Sequence, residues 1–246
     1  MDPATEYQSL DEPGRSNHLW RYTPWRRVHP TGDVSGIPEM DSPVVGLIGF
    51  DGGPAPDGIR IQQGIVSDTI MPGSDALTGS FLRAVAAGSS WTLSVESGFS
   101  SEHPVILDVD VGDSASVLHL CLDVGRLSEL ELVTRVRGSG EWFGMLRTGG
   151  VGDGSSLNDV VVSLLDKGTL LRVDSINVGR DAQVRAGTVS SGSDRTKADL
   201  RYRMAETGGN LRVLGSILSA GSMHLDHHVE IHHDAPVTFS RLSWHS

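Results

Sequence analysis

From Pro104 onward the chain never settles into a helical period. Short alternating apolar runs follow one another instead, at 105–107, 117–124, 130–136, 142–146, 160–165, 170–178, 184–189, 200–204, 211–218 and 223–231. Gly, Ser, Asp or Asn punctuates them, and their spacing of roughly 10 to 15 residues suits a sandwich, a barrel or a β-solenoid whose turns each add a rung. Two features favour the solenoid. Positions read as facing outward carry polar or charged tips (Arg172, Asp174, Gln183, Arg185, Arg201, Arg203). The inward ones stay small or medium (Val173, Val184, Ala186, Leu200, Met204), as a narrow stacked core requires. The Asn-Gly and Asp-Gly pairs expected between hairpin strands are also scarce, since Asp153-Gly154 sits inside the glycine-rich loop 149–156.

The first part of the chain reads differently. Residues 1–43 are polar and carry prolines at 3, 13, 24, 30, 38 and 43, which leaves room for one short helix near 16–22, capped by Ser16 or Asn17 and stopped before Pro24. Residues 44–50 and 58–65 read as two strands. Residues 74–87 place Leu77, Phe81, Leu82 and Val85 at helical spacing, with Ser74 as N-cap and Gly88 just past the end, and strand alternation returns at 91–95. The expected organisation is an N-terminal arm over 1–43, a small α/β unit over 44–103, and a β region over 104–246.

Composition excludes several functions. With 246 residues the chain can bury a sizeable core without staples, and its single cysteine, Cys121, forbids both an internal disulfide and a CxxC metal knuckle, which fits a reducing cytoplasm. No apolar stretch approaches the ~20 residues of a membrane span, and the N-terminus lacks the basic and apolar regions of a signal peptide. A net charge of -11 with only two lysines argues against a broad phosphate-binding surface. Arg21, Arg26 and Arg27 lie beside Trp20, Tyr22 and Trp25. That cluster superficially suits base stacking, but the better reading is an amphipathic segment packing its aromatics on the body of the protein.

Chemistry concentrates near the C-terminus, where six of the ten histidines follow residue 208. On an extended strand His224, Asp226, His228, Glu230 and His232 share one face, and Met223, Leu225, Val229 and Ile231 the other. Residues four apart on a strand are about 13 Å apart, so His224, His228 and His232 cannot share one metal without a partner rung. Neighbours two apart, at about 6.6 Å, can do so. The candidate metal ligands are therefore His224, His228, Glu230 and His232, weighed against a solvated strand face that happens to be rich in histidine.

Other motifs fail. His228-Val229-Glu230 matches half of a zinc deaminase signature whose Pro-Cys-x-x-Cys partner is impossible with one cysteine, and His-Glu-x-x-His is absent. A cupin-like metalloenzyme built on His224, His228, Glu230 and His245 is the enzyme alternative, though the leading His-x-His is missing. The loop 149–156 lacks the Gly-Lys-Ser/Thr of a phosphate cradle and reads as a turn, and Asp108, Asp110 and Asp113 read as solvated carboxylates.

Several short motifs, in order, resemble the SufB/SufD family of the SUF iron-sulfur cluster assembly system, and SufD more than SufB. The arm Trp20-Arg21-Tyr22-Thr23-Pro24 is similar to the family's N-terminal signature, and 84–95 to its helix, glycine turn and strand. Asp226, followed seven residues later by His233 and then by Ala235-Pro236, Thr238 and Ser240, resembles the pattern Asp, six residues, His-x-Ala-Pro-x-Thr-x-Ser. The resemblance implies a right-handed parallel β-helix over 104–246. It also implies a non-catalytic scaffold role, a SufB-like partner, a SufC-like partner that carries the ATPase activity, and an iron-sulfur cluster or iron passing transiently through the full complex. No nucleic acid or membrane partner is implied. Family members continue past Thr-x-Ser into further rungs and a helical region that binds the ATPase, so this reading expects a C-terminally truncated chain.

Overall fold

The computed structural model describes residues 2–73 and 75–245. Among these residues three short α-helices, α1 (Pro3–Gln8), α2 (Trp25–Val28) and α3 (Leu77–Val85), accompany fourteen strands. The strands up to the first full coil are β1 (Val44–Gly49), β2 (Ile59–Gln63), β3 (Ser90–Val95), β4 (Val105–Asp110) and β5 (Ser116–Val124). Regular coils follow as β6 (Glu129–Gly138), β7 (Trp142–Val151), β8 (Ser156–Leu165), β9 (Thr169–Val178), β10 (Gln183–Gly192), β11 (Arg195–Met204), β12 (Asn210–Ile217), β13 (His224–His233) and β14 (Phe239–His245).

Successive strands alternate between two seven-stranded sheets, one ordered β1-β4-β6-β8-β10-β12-β14 and the other β13-β11-β9-β7-β5-β3-β2. Pairing is parallel except at β1 with β4 and β2 with β3. The result is a β-solenoid of about six turns. Its repeat is visible in the register: Ser156, Gln183 and Asn210 stand side by side, each 27 residues from the next, whereas the last coil pairs Asn210 with Phe239 across 29. Stacked parallel coils are not the antiparallel double sheet that a cupin requires, and that alternative falls with the topology.

Inward side chains form one continuous core, with Leu107, Leu118, Leu120, Phe143, Met145, Leu200 and Leu211 among those essentially without solvent contact. Close stacking explains why the loop read at 149–156 begins later than expected. Gly149 belongs to β7 at φ +101°, and a Cβ there would lie 2.1 Å from the Leu122 carbonyl oxygen of the rung beside it.

A second core lies outside the solenoid. Tyr7, Trp20, Trp25, Val28, Phe81 and Leu82 cover Val117, Trp142, Leu146, Leu171 and Val173 on the outer face of the β3–β13 sheet, and Trp142 donates its indole N–H to the Val28 carbonyl at 2.7 Å. The arm packs its aromatics as read from the sequence, with Trp20 and Trp25 buried; Tyr22, by contrast, is exposed. The helix expected at 16–22 is a single 3₁₀ turn, His18–Trp20, with the Asn17 side chain accepting from the Leu19 N–H. α1, started by the Asp2 carboxylate, and α2 escape a reading dominated by prolines. The expected cap Ser74 lies outside the described residues. Among those described, Asp75 does the capping, accepting from the Leu77 and Thr78 amides at 3.0 and 3.3 Å.

The double cover also corrects the inward and outward assignment of three residues on β9. Arg172 and Asp174 face the solenoid interior, while Val173 faces out into the helical cover. Both faces of β9 are buried, so polarity alone cannot fix which way its alternation runs.

Candidate functional site

β13 presents the histidine row with the expected parity. His224, Asp226, His228, Glu230 and His232 share the outer face, opposite Arg195, Lys197, Asp199, Arg201 and Arg203 of β11. The N-terminal arm sits on one end of this row. Thr23 donates its hydroxyl proton to Asp226 Oδ2 at 2.6 Å and lies 2.8 Å from His224 Nε2. A hydroxyl has one proton to give, so His224 Nε2–H is the donor in the second contact. Lys197 adds a second partner to Asp226 at 3.2 Å, donates to the Leu19 carbonyl, and stands 4.8 Å above the Trp20 ring. Trp20 and Asp226, drawn from motifs at opposite ends of the sequence, thus meet in one clasp through Lys197 and Thr23. Arg21 and Tyr22, between them in the signature, point outward and are exposed.

Farther along the row, Asp199 accepts from Arg201 and lies 2.9 Å from His228 Nδ1. The contact with Asp199 holds the His228 pKa above its usual value. Arg201 in turn ties down the segment before α3 by donating to the Met71 and Asp75 carbonyls. His232 Nε2 lies 3.0 Å from Glu230 Oε1. The four candidate ligands are therefore engaged with protein partners. Among the described residues no group of three or more His, Cys, Asp and Glu side chains is placed to hold a metal ion.

His233 builds a corner. Thr238 donates to the Ala235 carbonyl at 3.1 Å, which leaves its oxygen to accept from His233 Nδ1–H at 2.7 Å, and His233 Nε2 then accepts from Ser240 at 2.9 Å. The Thr207 hydroxyl reaches the Pro236 carbonyl from the preceding coil. His-x-Ala-Pro-x-Thr-x-Ser is in this chain the hydrogen-bonded turn that joins β13 to β14.

The interior holds charge that the sequence reading missed. Arg147 on β7 donates to Asp159 on β8 at 2.6 Å and to Asp174 on β9 at 2.8 Å. Arg172 chelates Asp174 through Nε and Nη2 at 2.9 and 2.6 Å and reaches Thr188 on β10 at 3.3 Å. Burial opposes ionisation of Asp174, but Arg172 and Arg147 outweigh it and hold the carboxyl below its usual range. The same two aspartates keep Arg147 charged despite its burial. Farther along, His227 lies 2.9 Å from the Ser190 hydroxyl and rests against Trp244, and burial pushes its pKa down to about 4. Trp244 itself lies flat on Gly215, where a Cβ would come within 2.3 Å of the indole. A signal for the charged set was present: Arg147 and Asp174 are 27 residues apart, one coil of the register.

Residues 106–246, the solenoid from β4 onward, match the family described as SUF system FeS cluster assembly, SufBD core domain. The chain belongs to the SufBD family. Comparison with curated proteins yields no match. Family membership makes this SufBD protein a component of the SUF system for iron-sulfur cluster assembly. The matched segment includes the clasp residues Lys197, His224 and Asp226, the His233 corner and the buried charges, whereas Trp20 and Thr23 reach it from outside. No helix among the described residues is long and apolar enough to cross a membrane.

Proposed function

We propose that this SufBD protein is a SufD-like, non-catalytic scaffold subunit of an iron-sulfur cluster assembly complex, working in the cytoplasm. The observation that carries this reading is the overlap of the family match, residues 106–246, with the solenoid from β4 to the C-terminal strands. A rigid stack of rungs is suited to holding partners at fixed spacing. The groups that other readings would use as nucleophile, base or ligand are engaged here in structural bonds: His224 and Asp226 in the clasp, His233 in the corner, Asp174 in the interior. The cluster is the cargo of the assembly, and ATP hydrolysis belongs to a SufC-like partner.

Co-expression of the coding locus with SufB-like and SufC-like subunits tests this. The expected outcome is a complex that survives size-exclusion chromatography, with ATPase activity dependent on the SufC-like chain and unaffected by changes at His228 or His232. Migration of the protein alone in the presence of both partners would remove the proposal.

A further inference from the structure

The two sheets differ in what covers them. Among the described residues no helical layer covers the outer face of the β1–β14 sheet, and on it three arginines stand on consecutive rungs, Arg185 on β10, Arg212 on β12 and Arg241 on β14, aligned by the register. All three are exposed, and none has an ion pair or side-chain hydrogen bond among the described residues. Neighbouring strands lie about 4.8 Å apart, a distance at which like charges on adjacent strands destabilise the sheet. The chain carries a net charge of -11 and pairs arginines with aspartates elsewhere on this same face, as Arg135 and Arg137 pair with Asp108. A three-rung ladder left without counter-charge is the exception.

Beside the ladder runs an apolar column. Gly187 and Leu214 stand two residues farther along β10 and β12, Val160 continues the column onto the neighbouring β8, Ser243 takes the position on β14, and Leu214 is 48% exposed. We infer that this surface docks an acidic amphipathic helix of a partner protein, lying along the solenoid axis with one carboxylate per turn over the arginines and its apolar stripe on Val160 and Leu214. The helical pitch of about 5.4 Å matches the rung spacing of about 4.8 Å closely enough for three flexible guanidiniums to follow it. A nucleic acid strand would meet the same charge but gain nothing from the apolar column, and it would face the repulsion of a strongly acidic protein. This inference rests on the surface alone and not on the SUF reading.

The test is fluorescence anisotropy with a labelled synthetic helix of about 20 residues bearing glutamates at one-turn intervals beside a leucine stripe. The full chain should bind it, and the triple variant R185E/R212E/R241E should bind at least about tenfold more weakly. A peptide with lysines in place of the glutamates should show the reverse preference. Leu214→Ser should weaken binding several-fold with the charge intact. Because the free ladder is self-repelling, Arg212→Glu alone should raise Tm while lowering affinity, a combination that loss of folding cannot produce. Equal binding of the acidic peptide by the native chain and the triple variant would overturn the inference, as would tighter binding of a single-stranded RNA than of the peptide.

Discussion

On the bare sheet, β6, β8 and β10 alternate strictly between buried and solvent-facing residues, whereas β5, β7, β9 and β11 of the covered sheet are buried almost without interruption. The two sheets share one core and have the same parallel pairing. What separates them is the layer of α1, α2, α3 and the arm. The difference teaches that charge on a strand face means different things on the two sides. Arg135 and Arg137 on the bare side reach Asp108 across partly solvated rungs, where such pairs contribute little. On the covered side Arg172 and Asp174 point inward because the outward positions are themselves taken by a second core.

The largest expected effect probes the interior behind both sheets. Asp174→Ala leaves Arg147 and Arg172 buried without their shared counter-ion and should cost about 3–5 kcal/mol in denaturant unfolding. A loss below about 1 kcal/mol would mean that the buried quartet behaves like a surface pair. Next comes a direct contrast of outer faces. Leu171→Ala beneath the helical cover should cost about 2–5 kcal/mol, while Leu214→Ala on the bare face should change stability by no more than about 0.5 kcal/mol. Equal losses would erase the distinction between the sheets.

Acidification gives the third effect. His227 is held neutral by burial with a pKa near 4, below its unfolded value, so its contribution is complete above about pH 6.5 and is lost as pH falls toward 4. That linkage amounts to at most about 3 kcal/mol. The depressed Asp174 acts in the same direction at lower pH. The raised pKa of His228 acts oppositely, its contribution being lost as pH rises through the folded value. His227→Gln should flatten the slope between pH 6.5 and 4, and an unchanged slope would assign it elsewhere. The smallest effect is expected at the clasp, where Thr23→Val should cost about 1 kcal/mol and expose Trp20 to quenchers before global unfolding. Quenching that stays coincident with unfolding would show that the arm is not a separate unit.

The fold was largely legible because ten of the runs from 105 onward fall within or across strands β4 to β13. Val184, Ala186, Leu200 and Met204 were correctly read as inward since each lies in a clear alternation. β14 escaped because Phe239, Leu242 and Trp244 are spread among Ser and Arg and carry no strong period of two. The histidine row could be placed on one face from parity alone, but its partners could not be read. Thr23, Asp199 and Lys197 come from other coils or from the arm, and only the three-dimensional stacking brings them there.

The clasp joins Thr23 to Asp226, 203 residues apart in sequence. During synthesis Thr23 leaves the ribosome well before β11 and β13, which carry the arm's polar anchors. At roughly 5–20 residues per second, the delay is on the order of 10–40 seconds. Throughout that interval Trp20 has neither Lys197 nor the clasp to settle against. The apolar partners Phe81 and Trp142 are made early in that interval, so the arm can dock on them first and its polar seal closes only when Lys197 and Asp226 arrive.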